Sequence, residues 1–454
     1  MNSPQFQSFN QLPGPKGHFL LGSIPEIAGR PLPFFTQLQS QYGYYCRFSM
    51  GPYRFLYLGH PDHIQYILQE NSKNYLKSIT YDVLKLFLGE GLLTSESELW
   101  RKQRQIASPL FQSKKLAGFS SLMTNATLRC IEQIRPLAEA GQPINMSQSM
   151  MALTLEIVAQ ALFTRNVQEE SLIVGENLTT ILEFAERRLQ SFITPPLFVP
   201  TPWNRRFLRA KQKLDEMVYL WIRERKQHPT EGADLLNKLL EARDEENKPL
   251  SEKQLRDELM TLILAGHETT ANAMIWTWYL LSQYPRIWKE LQDEWAHVLN
   301  GRVPTFEDLE SLSLTQRVLQ ESMRLYPPVW AIERKAISED RVDGIPIPPG
   351  TNVMLSPYVT HHDPAFWENP EAFEPDRFLP ENVKSRHKFA YFPFGGGPRI
   401  CIGNYFAMME GTLILATMGQ RYYPQLLPTQ FVEMQSLIVL RPKRPLWMTL
   451  KPVQ

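Results

Sequence analysis

The chain has 454 residues, 43% hydrophobic, 21% charged and 11% aromatic, a globular composition that excludes disorder and low complexity. With 48 Lys plus Arg against 47 Asp plus Glu the net charge is +1, so no global field calls for nucleic acid or an anionic membrane. Three widely spaced cysteines, Cys46, Cys130 and Cys401, and an N-terminus without a basic-then-apolar leader predict a reducing, cytoplasmic setting. No Gly/Ser linker, charge block or internal repeat marks a boundary, and one compact unit over 1–454 is expected.

In chain order, the runs YYCRFSMG and YRFLYLG around Gly51 and Pro52 predict a small hairpin. The pattern then turns helical. PDHIQYILQENS, ATLRCIEQIRPLAEA, MSQSMMALTLEIVAQALF and NRRFLRAKQKLDEMVYLWIRERKQ each repeat apolar residues at spacings of three and four. WRKQR, Trp100–Arg104, falls on a helix expected to begin near Ser97. Ser251 with Gln254 makes a capping box opening a helix that runs to about Tyr284, roughly 50 Å long.

That helix contains the one long apolar stretch, Leu259–Leu281, but His267, Glu268 and Asn272 stand at its middle. A bilayer would penalise them there, so no membrane span is expected. Helices are predicted over Arg286–Leu299 and Ser313–Tyr326, followed by Pro- and Gly-rich, strand-like runs in ERKAISEDRVDGIPIPPGTNVML. Helical periodicity resumes in GNYFAMMEGTLILATMGQRY. The fold class is mainly α with a small β region.

Cys401 therefore lies on a loop entering a helix, where the positive dipole end favours the thiolate. A thiolate is a nucleophile or a metal ligand, and the absence of a CxxC partner argues against structural zinc. Gly395, Gly396 and Gly397 allow a bulky group to approach the backbone, and Arg399 is placed to reach an anion beside a metal. This suits a flat, carboxylate-bearing metallocofactor held by one thiolate.

Phe394–Gly403, FGGGPRICIG, resembles the haem-binding signature of the cytochrome P450 monooxygenases at Phe394, Gly395, Gly397, Arg399, Cys401 and Gly403. Ala265–Thr270, AGHETT, is similar to that family's oxygen-activation motif. There Ala265 and Gly266 would leave room for O2, and Glu268 with Thr269 would deliver the protons that O–O cleavage requires. HETTA also begins like a zinc-peptidase motif, but Ala271 stands where its second His must be. Glu321 and Arg324 in ESMR, with Arg377 in NPEAFEPDRF, resemble the family's structural Glu–Arg–Arg set. Trp100 and Arg104 resemble its propionate-binding pair, and Arg334 matches a further propionate position. LPGPKG near the start resembles the proline-rich opening of many members, while Gln103 and Glu333 occupy positions that vary within the family.

The resemblance implies the P450 fold, haem b as cofactor with Cys401 as its metal ligand, and insertion of one oxygen atom from O2 into a lipophilic small molecule. No flavin or iron–sulfur segment is recognisable, so electrons are expected from a separate ferredoxin or flavodoxin with its reductase, and the chain is expected to be a monomer. Lys384, Arg386 and Lys388, with Arg101, Lys102, Lys114 and Lys115, form a candidate basic face for that partner. A peroxide-driven peroxygenase and a non-catalytic haem sensor are the rivals, and the Glu268–Thr269 pair argues against both. Leu92 and Leu93 in GEGLLTS fall where the family lines its distal pocket. With the apolar stretch LQSFITPPLFVPTPW they suggest a fatty acid, a terpenoid or a retinoid, in that order.

Overall fold

The computed structural model describes residues 6–165, 171–190, 194–229, 234–243 and 247–453. Tyr45–Met50 (β1) and Tyr53–Leu58 (β2) form the expected antiparallel hairpin, turned at Gly51 with φ +56°. Its alternating aromatic residues stack across the pair, Phe48 opposite Phe55, against a core of Phe34, Phe35 and Tyr57. The sheet is completed by Tyr75–Lys77 (β3), Ile332–Ala336 (β4) and Asn352–Leu355 (β5), in the order β1-β2-β5-β4-β3. The β3–β4 register sets Lys77 directly opposite Arg334.

The helices that build the interior are Thr80–Leu88 (α1), Ser97–Ala107 (α2), Met146–Phe163 (α3), Ser171–Gln190 (α4) and Pro202–Gln227 (α5). Glu252–Gln283 (α6), Ser313–Leu325 (α7) and Asn404–Gly419 (α8) follow. The expected capping box opens α6: the Ser251 hydroxyl accepts from the Gln254 N–H at 3.2 Å, and Gln254 Oε1 accepts from the Ser251 N–H at 2.9 Å. Buried residues occur all round α6, so it crosses the interior rather than lying on a surface. Among the described residues no helix is long and apolar enough to cross a membrane.

Two apolar cores divide α6 between them. Its first half, Leu255 to Leu264, packs with α1, α3, α4 and α5, and its second half, Ala271 to Leu281, with α7, α8 and Pro285–Leu299. Residues 265–270 belong to neither, and there a cavity of about 430 Å³ opens.

One predicted helix departs from expectation. PDHIQYILQENS is α-helical only over Pro61–Gln65 and continues as a π-helical turn over Tyr66–Glu70. The Leu68 carbonyl of that turn lies so close to Gly397 that a Cβ there would sit 1.8 Å from it, and Gly397 has φ +65°. Gly396 faces the Phe389 ring, where a Cβ would come within 2.3 Å. Gly396 and Gly397 therefore serve the loop's packing on the protein, not the approach of a cofactor.

Candidate active site

The loop carrying Cys401 is closed by backbone bonds: Gly395 N–H to the Phe392 carbonyl at 2.9 Å and Cys401 N–H to the Phe394 carbonyl at 3.0 Å. Cys401 is exposed, but the surface it presents belongs to the cavity wall, with Phe394 and Gly403 beside it. Enclosure is the largest influence on the thiol and raises its pKa above the ordinary value. The Gly403 N–H at the start of α8 and the Arg104 guanidinium pull the other way, toward the thiolate, and are outweighed by that enclosure. A bound metal ion removes that proton outright.

Behind the loop, Glu321 and Arg324 on α7 are fully buried and paired twice, Nε to Oε2 at 2.7 Å and Nη2 to Oε1 at 2.8 Å. Arg324 also donates to the carbonyls of His361, Pro370 and Ala372 at 2.7–2.9 Å, so one guanidinium ties α7 to the segment leading to the cysteine. Arg377 approaches Glu321 at 3.3 Å, and the Glu374 N–H donates to the same carboxylate at 2.9 Å.

Beside Cys401 the cavity wall is cationic. Arg104 Nη1 donates to the Ile400 carbonyl at 2.9 Å, and Arg399 Nη1 to the Ser95 carbonyl at 2.9 Å. The Arg399 guanidinium stacks 4.0 Å above the Trp100 ring and pairs with Glu96. Arg334 comes from the facing strand. Two residues that sequence reasoning passed over complete the wall: Lys77, whose ammonium sits 4.4 Å over the Tyr81 ring, and Tyr81 itself.

Burial and the charges of Arg334 and Arg399 hold the Lys77 pKa well below that of an ordinary lysine. Lys77 and Arg399 both act on Glu96, while burial raises the pKa of Glu333, whose carboxylate accepts from Ser78 at 2.5 Å and Thr80 at 2.7 Å. Like charges directly across a ladder are destabilising unless an anion joins them. A planar cofactor with two carboxylates fits this wall on charge and on the thiol beside it. The signal for Lys77 lay in the pairing of β3 with β4, which no local motif reveals.

On the opposite wall, Ala265, Gly266, Glu268, Thr269 and Thr270 line the cavity. The Thr269 hydroxyl donates to the Ala265 carbonyl at 2.7 Å, leaving its lone pairs as acceptors. Glu268 is buried with Oε2 unpartnered, and burial pushes its pKa up to about 7, with Arg441 pulling it down more weakly. A Cβ on Gly266 would lie 2.5 Å from Val158 Cγ2, so its smallness is spent on the α3–α6 crossing rather than on a small ligand. Leu92 and Leu93 line the same cavity, and the Leu92 N–H donates to Glu258 at 3.2 Å.

The expected basic face is only partly realised. Arg386 is half-buried, stacks on the Trp367 ring at 4.2 Å and donates to the Arg377 carbonyl, so it is engaged by the fold. Arg101 pairs with Glu98, and the Lys114 side chain lies outside the described residues. Of the apolar stretch before Trp203, residues 191–193 also lie outside them.

A cavity-facing thiol, a cationic wall for carboxylates and a buried acid–hydroxyl pair define a haem-thiolate protein. The family model described as Cytochrome P450 matches residues 12–449, and the chain belongs to the cytochrome P450 family. It is 34% identical to cyclooctatin synthase of Streptomyces melanosporofaciens over 94% of this chain and 92% of that one. It is 33% identical to cyclooctat-9-en-7-ol 5-monooxygenase of the same organism, over 89% and 87%. The crystal structure of the cytochrome P450DA heme domain superposes with a TM-score of 0.88 at 25% identity, covering 98% of both chains. The fold is that of the P450s, the cofactor is haem, and the protein is a P450 monooxygenase that uses O2, redox partners and a lipophilic substrate.

Proposed function

We propose that the chain is a single haem b domain that hydroxylates a lipophilic small molecule in the cytoplasm, acting as a monomer with a separate ferredoxin or flavodoxin and its reductase. The observation that supports this most directly is one cavity lined by Cys401, by the Glu268–Thr269 pair and by the cations that suit two propionates. Bound haem supplies O2 activation and transfer of one oxygen atom to the substrate.

In this reading Cys401 would hold the iron through its thiolate, and Trp100, Arg104, Arg334 and Arg399, with Lys77 and Tyr81, would hold the carboxylates. Phe394 and Gly403 line the cavity beside the thiol, and Ala265 and Gly266 line its opposite wall. Glu268, with a pKa of about 7, gains and releases a proton at Oε2 near neutral pH, and Thr269 accepts hydrogen bonds at Oγ1. Glu321, Arg324 and Arg377 keep the cysteine loop in place, and Leu92 and Leu93 contact the substrate.

The test is spectroscopic and then chemical. Reduced protein under CO gives the red-shifted Soret band of a thiolate ligand, and Cys401→Ala loses it. With a surrogate ferredoxin, its reductase and NAD(P)H, a lipophilic substrate is converted to an oxygenated product. Retention of the band by Cys401→Ala sinks the assignment, and failure of every lipophilic substrate to stimulate NAD(P)H use or yield an oxygenated product favours a sensor.

A further inference from the structure

The loop over residues 89–95, which carries Leu92 and Leu93, lies against the first half of α6 and is fastened to it by two consecutive acidic side chains. Asp257 Oδ2 accepts from the Glu90 N–H at 3.0 Å, and Glu258 Oε2 accepts from the Leu92 N–H at 3.2 Å. Nothing separates loop from helix: a Cβ on Gly91 would collide with the Thr261 side chain and the Asp257 carbonyl. Gln103 on α2 closes the other side, donating to the Glu90 carbonyl at 2.7 Å and accepting from the Ser95 hydroxyl. Beyond it the chain reaches the cationic wall, where the Ser95 carbonyl and the Glu96 carboxylate hold Arg399.

The two acids are not equivalent. Asp257 pairs with Lys253 at 2.9 Å and with Arg256 at 3.0 Å. Glu258 is buried, and among the described residues no cation acts on it. Burial pushes its pKa up to about 8, against a weaker pull from the Leu92 N–H and the Gln103 side chain. At pH 7 it is therefore a neutral carboxyl that offers an acceptor oxygen. Both it and the Leu92 amide are costly to bury unless the hydrogen bond between them is made. Leu92 belongs to the apolar core packed on α6, with Leu93 against it, and both also line the cavity. One hydrogen bond thus fixes the backbone at two side chains that face a ligand.

We propose that Glu258 is a positioning residue for the substrate: through the Leu92 N–H it holds the loop 89–95 on α6, so that Leu92 and Leu93 present a fixed contact surface to a lipophilic ligand. This rests on the monooxygenase reading above and adds to it a residue that acts from behind the cavity wall. Removing the acceptor strands the Leu92 amide and frees the loop to leave α6, and a ligand must then order the loop as it binds. A side chain of similar volume without an acceptor does not replace Glu258, whereas an amide does.

Hydrogen exchange, read by mass spectrometry on peptides covering residues 89–95 of the haem-loaded protein, reports this bond directly. Glu258→Leu, similar in volume but without an acceptor, raises exchange there by about tenfold or more, while Glu258→Gln stays within about threefold of wild type. Binding is followed by calorimetry with two azoles that coordinate iron through the same kind of nitrogen: imidazole, which is small, and clotrimazole, whose aryl groups need the apolar cavity. Glu258→Leu weakens clotrimazole by about tenfold and leaves imidazole within about twofold, and Glu258→Gln binds both as the wild type does. Glu258→Asp, one methylene shorter, follows the leucine variant and decides alone if that variant does not fold. Unchanged exchange or unchanged clotrimazole binding in the leucine and aspartate variants, an equal loss for imidazole, or a glutamine variant as impaired as the leucine one overturns the proposal. Absence of the CO band in wild type would instead sink the monooxygenase reading, and exchange over residues 89–95 is read independently of that band.

Discussion

Substituting Glu268 by glutamine tests whether this carboxyl is held near neutrality by burial. Its side chain is 5% exposed, Oε2 has no partner, and its pKa is raised from 4.5 to about 7. In the folded protein the ionised form is the costly one. The penalty is absent below the unfolded value of about 4.5, grows as pH rises to about 7, and is constant above that, because the folded state holds the proton longer than the unfolded one. At about 1.4 kcal/mol per pH unit, the span from 4.5 to about 7 costs about 3 kcal/mol.

Glu268→Gln keeps the shape and removes the charge. It should therefore gain about 3 kcal/mol on the wild type between pH 4.5 and pH 8. Glu258, pushed up to about 8 by burial, titrates in both proteins and cancels in the difference. Urea unfolding followed by tryptophan fluorescence at both pH values, on wild type and variant in parallel, gives the difference directly. An identical stability difference at the two pH values would refute the assignment of a raised pKa to Glu268. The same variant should lower oxygenated product per NAD(P)H consumed, since an amide does not deliver a proton.

Lys77→Ala should release haem to a scavenging apoprotein about ten- to a hundredfold faster, the worth of one charge-assisted hydrogen bond, and an unchanged rate would remove Lys77 from the propionate wall. Gly397→Ala should lower both haem content and melting temperature, because its φ of +65° and the Leu68 carbonyl 1.8 Å from the new Cβ each oppose a side chain; wild-type values for both would contradict the described loop. Arg324→Ala leaves Glu321 buried beside fewer partners and should cost about 3–5 kcal/mol, with Glu321→Gln/Arg324→Met recovering part of it; soluble yield and urea midpoint report both.

Much of the site was legible because its motifs are local. Six positions within ten residues define the cysteine loop, and AGHETT interrupts an apolar helix with groups that are costly to bury without a use. Helix spacing also placed Trp100 with Arg104 and Glu321 with Arg324 on common faces. The π-helical turn at Tyr66–Glu70 was read as ordinary helix, since apolar periodicity does not distinguish the two over one turn.

The sequence by itself determined the mainly helical class and the capped central helix, and it singled out the candidate thiol and the candidate acid–hydroxyl pair, because each depends on residues a few positions apart. Tertiary structure alone decided three things. Strand register set Lys77 against Arg334 and made a cationic wall. The gap between two apolar cores placed Ala265, Gly266, Glu268, Thr269 and Thr270 on a cavity instead of in a core. The fold also brought the carbonyls of His361, Pro370 and Ala372 onto the buried Arg324 guanidinium. Each is a contact between segments distant in the chain, where the energy of burying or pairing a charge depends on what the fold brings opposite it.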